Sequence, residues 1–330
     1  MTFGKLITTA AMAVALCAPG IASAETFRLS SETNENSSRT QGAERFAELL
    51  DEASGGDMTV KVFPNAVLTG GDQLKQGEML ARGSLDFSVT SAITISTLVP
   101  EMSAFSLPYL FSGYDEVDAA VNGPAGEEMA RIMEEHDLKL LAWGESGFRE
   151  LTNSKRPIRT PEDLAGLKIR VAGPMFIDVM SELGANPQQI QWTETFSALQ
   201  QGVVDGQENP IGAVIIPQRV YEVQKYITNW HYSYDPAFLM MSLAKWEALD
   251  PEQQEMIQTA ATEAMDWQKE LTREQTEEGI QLLKDEGMEV YDPTPEELEA
   301  FAEAAKPAFD LWADKVGRDL VELFTQTPES

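Results

Sequence analysis

Two arginines and an asparagine carry the chemistry that stands out in this chain. Arg149 sits in Gly144-Glu145-Ser146-Gly147-Phe148-Arg149-Glu150-Leu151-Thr152-Asn153-Ser154. Arg170 sits in Asp163-Leu164-Ala165-Gly166-Leu167-Lys168-Ile169-Arg170-Val171, and Asn209 in Asp205-Gly206-Gln207-Glu208-Asn209-Pro210. Both arginines fall in extended segments of alternating apolarity, and Asn209 stands just before a proline that ends a strand. A guanidinium donates two parallel hydrogen bonds to a carboxylate and stays charged at any relevant pH. A carboxamide beside it donates and accepts, so it can orient the remaining oxygens. Two forks and one amide are enough to hold a small organic anion. A plainer reading exists: in Leu167–Val171 the apolar residues share one face and Lys168 shares the other with Arg170, so parity alone allows Arg170 to be a solvated strand residue.

The elements that must position these groups follow a β-α-β rhythm, which implies a mainly parallel sheet covered by helices. Phe27–Ser31 reads as a strand, and Glu32–Ser38 as a polar turn that can present side chains or amides near Ser31. Arg39–Glu52 has helical spacing through Ala43, Phe46, Ala47 and Leu50 and stops at Gly55-Gly56. Met58–Phe63 alternates as a strand, Asp72–Arg82 reads as a helix, and Leu85–Val89 as another strand. The loop Thr90-Ser91-Ala92-Ile93-Thr94 then falls at the carboxyl end of a strand, where open α/β sheets place ligands. There Ser91 and Thr94 offer hydroxyl donors, or form an ordinary Ser/Thr-rich turn.

Further helices are predicted from Tyr114, over Pro124–His136 and over Met175–Leu183, with a buried strand over Leu138–Trp143. Gln189–Trp192 reads as extended and Thr193–Gln201 as helix. Trp192 can lie flat against a ligand's carbon skeleton or serve as a core residue. Val223–Tyr234 reads as a long return strand and Ala237–Leu243 as a core strand. Asp250-Pro251-Glu252 caps a helix without a breaker to about Asp285, roughly 50 Å at 1.5 Å per residue. Such a helix exceeds one lobe and predicts a spine across two. Met288–Tyr291 is a last strand, and a terminal pair of helices is expected to bend at Pro307.

The ends and the composition exclude several classes. Lys5, the apolar run Leu6–Ala18 and Ala22-Ser23-Ala24 read as a secretory signal over residues 1–24, cleaved after Ala24. The run is shorter than the roughly 20 residues a bilayer span needs, so no direct membrane insertion is expected. Cys17, the only cysteine, lies inside that segment. Leu16 before it disfavours a lipoprotein signal. His136 and His231 lie far apart in sequence, so neither a metal site nor a cofactor is expected. The formal charge of -30, one unit more negative once Lys5 is removed, repels nucleic acid and anionic lipid. Screening over about 10 Å still lets a buried arginine hold an anion against that field.

Taken together, Phe148-Arg149, Asn153-Ser154-Lys155-Arg156-Pro157-Ile158, the Asp163–Val171 run, Ala198-Leu199-Gln200-Gln201-Gly202, Asp205–Pro210 and Tyr221-Glu222-Val223-Gln224-Lys225-Tyr226 resemble, in order and spacing, the periplasmic solute-binding subunit of tripartite ATP-independent (TRAP) transporters, the C4-dicarboxylate type. The similarity covers nearly all of the chain after the leader. It implies an α/β two-lobed periplasmic binding protein, type II-like, with mixed sheets in each lobe and a long helix bridging both. Lobe I would hold 25–146 and 235–274, and lobe II 147–234 and 275–330. It further implies a non-catalytic receptor for a small organic acid anion such as a C4-dicarboxylate, uronate or aldonate, partnered by small and large TRAP permease subunits. Arg170 would form the bidentate salt bridge, with Arg149, Asn209, Trp192, Ser91, Thr94 and the turn at Ser31 completing the site. Sialic-acid-binding members carry a Glu and an Arg in the Thr90–Thr94 stretch; this sequence has neither, which argues against sialic acid.

Catalytic readings fare worse. Gly144-Glu145-Ser146-Gly147 lacks nucleophile-elbow spacing, and there is no Walker loop or Gly-x-Gly-x-x-Gly. A secreted carboxylate-dependent glycoside hydrolase stays open on composition, as does an organosulfonate receptor, because Arg binds that group equally.

Overall fold

The computed structural model describes residues 25–325; the leader, its cleavage point and Cys17 lie outside the described residues. The strands form one continuous mixed path, β2-β1-β3-β9-β4-β7-β5-β6, with β8 and β10 branching from β4. In chain order the first elements are β1 (Glu25–Ser31), α1 (Ser38–Ser54), β2 (Met58–Phe63), α2 (Lys75–Ala81), β3 (Phe87–Ser91) and α3 (Ala92–Ile95). A 3₁₀ segment, Pro100–Ser106, leads to α4 (Tyr114–Val121), α5 (Pro124–Glu135) and β4 (Leu138–Asn153). Next come β5 (Lys168–Val171), α6 (Pro174–Glu182), β6 (Asn186–Gln189), α7 (Trp192–Gln200), β7 (Gly206–Pro210) and β8 (Tyr226–Thr228). The chain closes with β9 (Tyr234–Ser242), α8 (Leu243–Glu247), α9 (Pro251–Asp285), β10 (Glu289–Tyr291), α10 (Pro295–Val316) and α11 (Arg318–Phe324).

The two-lobed form rests on two shared elements. Strand β4, 16 residues long, pairs antiparallel with β9 from Leu138 to Phe148 and then with β7 and β8 from Arg149 to Asn153. One strand thus belongs to both halves of the path. The changeover coincides with a register shift between Glu145 and Gly147, where Gly147 takes φ +110°, a backbone setting that glycine adopts at little cost. Helix α9, 35 residues, is the second shared element. Asp250 caps it by accepting from the Glu252 and Gln253 N–H groups, and Pro251 fills the first helical position. Its first half buries Ile257, Ala261 and Met265 against Phe46 and Leu239. Its last turns bury Leu283 with Ile215, Val220 and Ile227. Gln268 stitches the helix to β4, accepting from Glu145 N–H at 2.9 Å and donating to Glu145 C=O at 2.7 Å.

Several elements depart from the sequence expectation. The sheet path is mixed, as the family resemblance implied, and not the mainly parallel sheet that the β-α-β rhythm alone suggested, because β9 runs antiparallel to both β3 and β4. The long return strand does not form: β8 ends at Thr228 and β9 begins at Tyr234. Between them His231 takes φ +48°, held there by Glu150, which accepts from the His231 N–H at 3.0 Å. The strand of residues 189–192 lies earlier, at Asn186–Gln189, and Trp192 opens α7. Helix α2 begins at Lys75 because Asp72 turns the chain by accepting from Leu74 N–H. Helix α10 continues through Pro307, and the break falls at Gly317, φ +101°.

The His231–Glu150 pair makes one prediction. The buried Glu150 carboxylate, 2.8 Å from Nδ1, raises the imidazole above its ordinary value against the opposing effect of burial, with Asp292 adding to the rise. A cation whose folded pKa is raised contributes stability below the unfolded value of about 6.5 and loses it as pH climbs through the folded value. The His231→Gln variant should therefore unfold at lower denaturant than the parent near pH ~5.5 and converge with it near pH ~9. Because the imidazole is half-exposed, the difference will be small. A gap independent of pH would assign the residue a purely steric role.

Candidate functional site

A small, polar-lined cavity lies between the carboxyl ends of β1, β3 and β5 and the junction of β4, β7 and β9. Its lining includes Arg170, Arg149, Asn209, Trp192, Ser91 and Thr94, so six residues singled out in the sequence converge on one space. The seventh, Ser31, does not line it; its hydroxyl is buried against Thr40 at 2.7 Å and Thr33 at 3.3 Å. Its neighbour Glu32 takes that place, together with Arg39, Gln73, Ile93, Ala172, Val214 and Asp235.

The two arginines have different surroundings. Arg149, 2% exposed, is committed to protein partners. Its Nε pairs with Glu208 Oε2, its Nη2 donates to Glu208 Oε1 at 3.0 Å and to Asn209 Oδ1 at 3.3 Å, and its Nη1 reaches Asp235 Oδ2 at 3.3 Å. Burial alone would weaken its proton affinity, but Glu208 and Asp235 outweigh burial and raise it. The Phe176 ring lies 5.2 Å from Cζ and supports the guanidinium plane. Arg170, 1% exposed, donates only through Nε, to Ile190 C=O at 2.9 Å. Its two terminal nitrogens have no hydrogen-bond partner among the described residues. Trp192 lies under this fork at 5.3 Å. Burial, with Arg149 adding to it and Glu208 opposing, pulls the Arg170 guanidinium down to about 10, still charged at neutral pH.

The rest of the wall is a network of paired charges. Glu32 accepts from Arg39 through Oε1 and from Thr90 and Thr94 through Oε2, at 3.0 and 2.6 Å. The Thr94 hydroxyl proton is therefore spent on Glu32, and Thr94 holds that acid in place. Asn209 Oδ1 accepts from Arg149 and its Nδ2 donates to Gln207 Oε1 at 2.5 Å, which fixes the amide orientation. Burial pushes the Asp235 carboxyl up to about 6, against the pull of Arg149 and Arg39. Glu32, Arg39 and Asp235 escaped the sequence reading. The available signal was the position of Glu32 directly after β1, with Arg39 in the first turn of the following helix, the same strand-end placement that exposed Ser91.

The profile of bacterial extracellular solute-binding protein family 7 (DctP) matches residues 29–315. The 2,3-diketo-L-gulonate-binding periplasmic protein YiaO of Escherichia coli is 32% identical over 282 residues, covering 85% of this chain and 84% of that one. The C4-dicarboxylate-binding protein DctB of Bacillus subtilis is 30% identical over 300 residues, covering 89% and 84%. Among solved structures, a TRAP periplasmic solute-binding protein of Ralstonia eutropha with bound (S)-2-acetolactate superposes with a TM-score of 0.88 at 34% identity, covering 91% of this chain and 98% of that one. Three relatives of similar distance thus carry three different ligand names.

Proposed function

This chain belongs to bacterial extracellular solute-binding protein family 7, and from that premise we propose that it captures a small organic carboxylate by closing two lobes upon it and delivers it to TRAP permease subunits. The observation that carries this reading is the Arg170 fork: buried, charged, backed by Trp192, and without a partner for either terminal nitrogen among the described residues. A dry unpaired guanidinium is costly, and an incoming carboxylate removes that cost by accepting both of its free N–H pairs. Arg149 and Asn209 then act mainly to fix the cavity wall against which the ligand rests.

Closure follows from the same geometry. We assign residues 25–146 and 235–274 to lobe I and 147–234 and 275–330 to lobe II, with α11 reaching back to set Phe324 against Phe105 at 4.7 Å. Arg170 and Trp192 then approach the ligand from one lobe and Ser91, Glu32 and Arg39 from the other. Asn34 Nδ2 donates to Pro217 C=O at 3.0 Å and the Ser37 hydroxyl to Ala213 C=O at 2.7 Å, bonds across the divide that opening would break. A ligand touching both lobes favours the closed form by its differential affinity. The cavity acids Glu32 and Asp235 are each tied to an arginine, Arg39 and Arg149, which supports a receptor over a hydrolase that needs one free acid and one free base. Among the described residues no helix is long and apolar enough to cross a membrane. The proposed setting is the periplasm, after removal of residues 1–24.

A thermal-shift screen of organic anions tests the proposal. A ligand at about 100 times its Kd raises stability by about 2.7 kcal/mol, a shift of several degrees. Carboxylates are expected to produce it and their methyl esters are not. A screen in which sulfonates, or esters, stabilise as well as carboxylates would overturn the assignment.

A further inference from the structure

Besides the Arg170 fork, the cavity wall carries two polar groups left over from its internal ion pairs, both supplied from the side of β1, α1 and β9. Arg39 gives Nη1 to Glu32, and its Nε is buried without a hydrogen-bond partner among the described residues. Asp235 accepts from Arg149 through Oδ2; its Oδ1 is likewise buried and has no partner within hydrogen-bond distance among the described residues, although the Ser91 hydroxyl is near enough to help hold the carboxyl down. Both side chains are more than nine-tenths buried and both line the cavity. Glu32 cannot serve the same purpose, because Arg39, Thr90 and Thr94 occupy both of its oxygens. Buried polar atoms in folded proteins are seldom left unmatched, and at a binding site an unmatched pair indicates what the ligand supplies.

An unsatisfied donor and an unsatisfied acceptor on residues that line one cavity complement a hydroxyl, which donates one hydrogen bond and accepts others, better than a carboxylate, which only accepts. The charge balance agrees. The lining holds three arginines against Glu32 and Asp235, and Glu208, bonded to Arg149, reduces the excess further. With Glu208 counted the balance is zero, so one carboxylate on Arg170 already leaves the site one charge negative, and a second would deepen that repulsion beside Asp235. We propose that Arg39 and Asp235 read a hydroxyl on the ligand's carbon chain, so that this receptor selects hydroxy monocarboxylates over dicarboxylates of the same length. The proposal rests on the carboxylate-receptor reading above and narrows it to a substrate class.

The test is calorimetric titration with matched sets of equal carbon count: D-erythronate, succinate and butanoate, and D-galactonate, adipate and hexanoate. In at least one set the hydroxy acid is expected to bind about tenfold or more tighter than both others. In Asp235→Asn, Oδ1 should turn to Arg149, leaving the amide N–H groups toward the cavity as donors. The variant should then lose about tenfold for the hydroxy acid and gain for the diacid. The gain reports a folded site, so a misfolded variant cannot imitate it. Diacids that equal or exceed the hydroxy acids on the parent, or an Asp235→Asn variant that weakens all ligands alike, would overturn the hydroxyl reading and leave the carboxylate receptor standing. Failure of every acid in both sets on the parent would remove both.

Discussion

Replacing Arg170 by alanine should abolish measurable carboxylate binding while leaving the unliganded protein at least as stable as the parent. The two halves of that result have one cause. Among the described residues Arg170 makes a single hydrogen bond, Nε to Ile190 C=O, and keeps both terminal nitrogens free in a space where it is 1% exposed. Holding a charged guanidinium there costs the folded chain something, as its descent to about 10 shows. Removing an unpaired buried charge relieves that cost, while the cavity left by the side chain works against it. On the ligand's side the loss is large. Two charge-assisted bonds contribute about 3 to 6 kcal/mol together, a hundredfold or more in Kd. Arg170→Lys restores the charge without the planar fork and should recover only part of that affinity. Calorimetry with the best carboxylate from the screen, beside urea midpoints without ligand, reads both halves. Unchanged affinity in Arg170→Ala would sink the assignment, and a deep loss of stability would show that the fork is structural.

Much of this site was legible because its main residues sit in extended segments that end at the cavity. The strand carrying Arg170, the strand closed by Asn209 before Pro210, and the Ser91 loop all announce themselves by alternation and by a terminating residue. Parity misled at Arg170 alone: it grouped Arg170 with the exposed Lys168, yet the structure buries Arg170 and leaves Lys168 in solvent. The reason is local. The parallel partner β6 pairs along the whole strand; it is the Ile190–Trp192 segment after β6 that folds over Arg170, through the Ile190 carbonyl and the Trp192 ring. Alternation describes a strand and says nothing of what is folded over its last residue. Glu32, Arg39 and Asp235 were harder to see because each is a charged residue beside a turn, and most such residues are solvated. Only the convergence of β1, α1 and β9 turns them into one network, and such convergence depends on contacts hundreds of residues apart. The failed strand of residues 223–234 has a similar origin, since the left-handed setting of His231 is imposed by Glu150 from a different strand.

Arg149 should behave in the opposite way to Arg170, and the contrast separates a ligand-holding arginine from a scaffolding one. Both Arg149 and Glu208 are almost fully buried. Glu208 also accepts from the Tyr232 hydroxyl at 2.7 Å, so three side chains on β4, on β7 and just ahead of β9 meet at this carboxylate. Arg149→Met would strand Glu208 and Asp235 in a dry interior, and breaking a buried pair from one side costs about 3 to 5 kcal/mol. In Glu208→Gln the amide keeps a bond to Tyr232 while Arg149 retains Asp235, so the loss should be smaller, about 1 to 3 kcal/mol. The double variant removes both charges together and should be less destabilised than the sum of the two, with a coupling of about 1 to 3 kcal/mol. Urea titrations of the four proteins measure this directly. Additive losses would mean that the pair is not a unit, and would return Arg149 to the role of direct ligand contact. Strong coupling with reduced affinity in Arg149→Met would mean that Arg149 acts on the ligand through the wall it builds: Asn209, whose amide oxygen it fixes at 3.3 Å, and Asp235, whose Oδ2 it holds so that Oδ1 is left for the ligand.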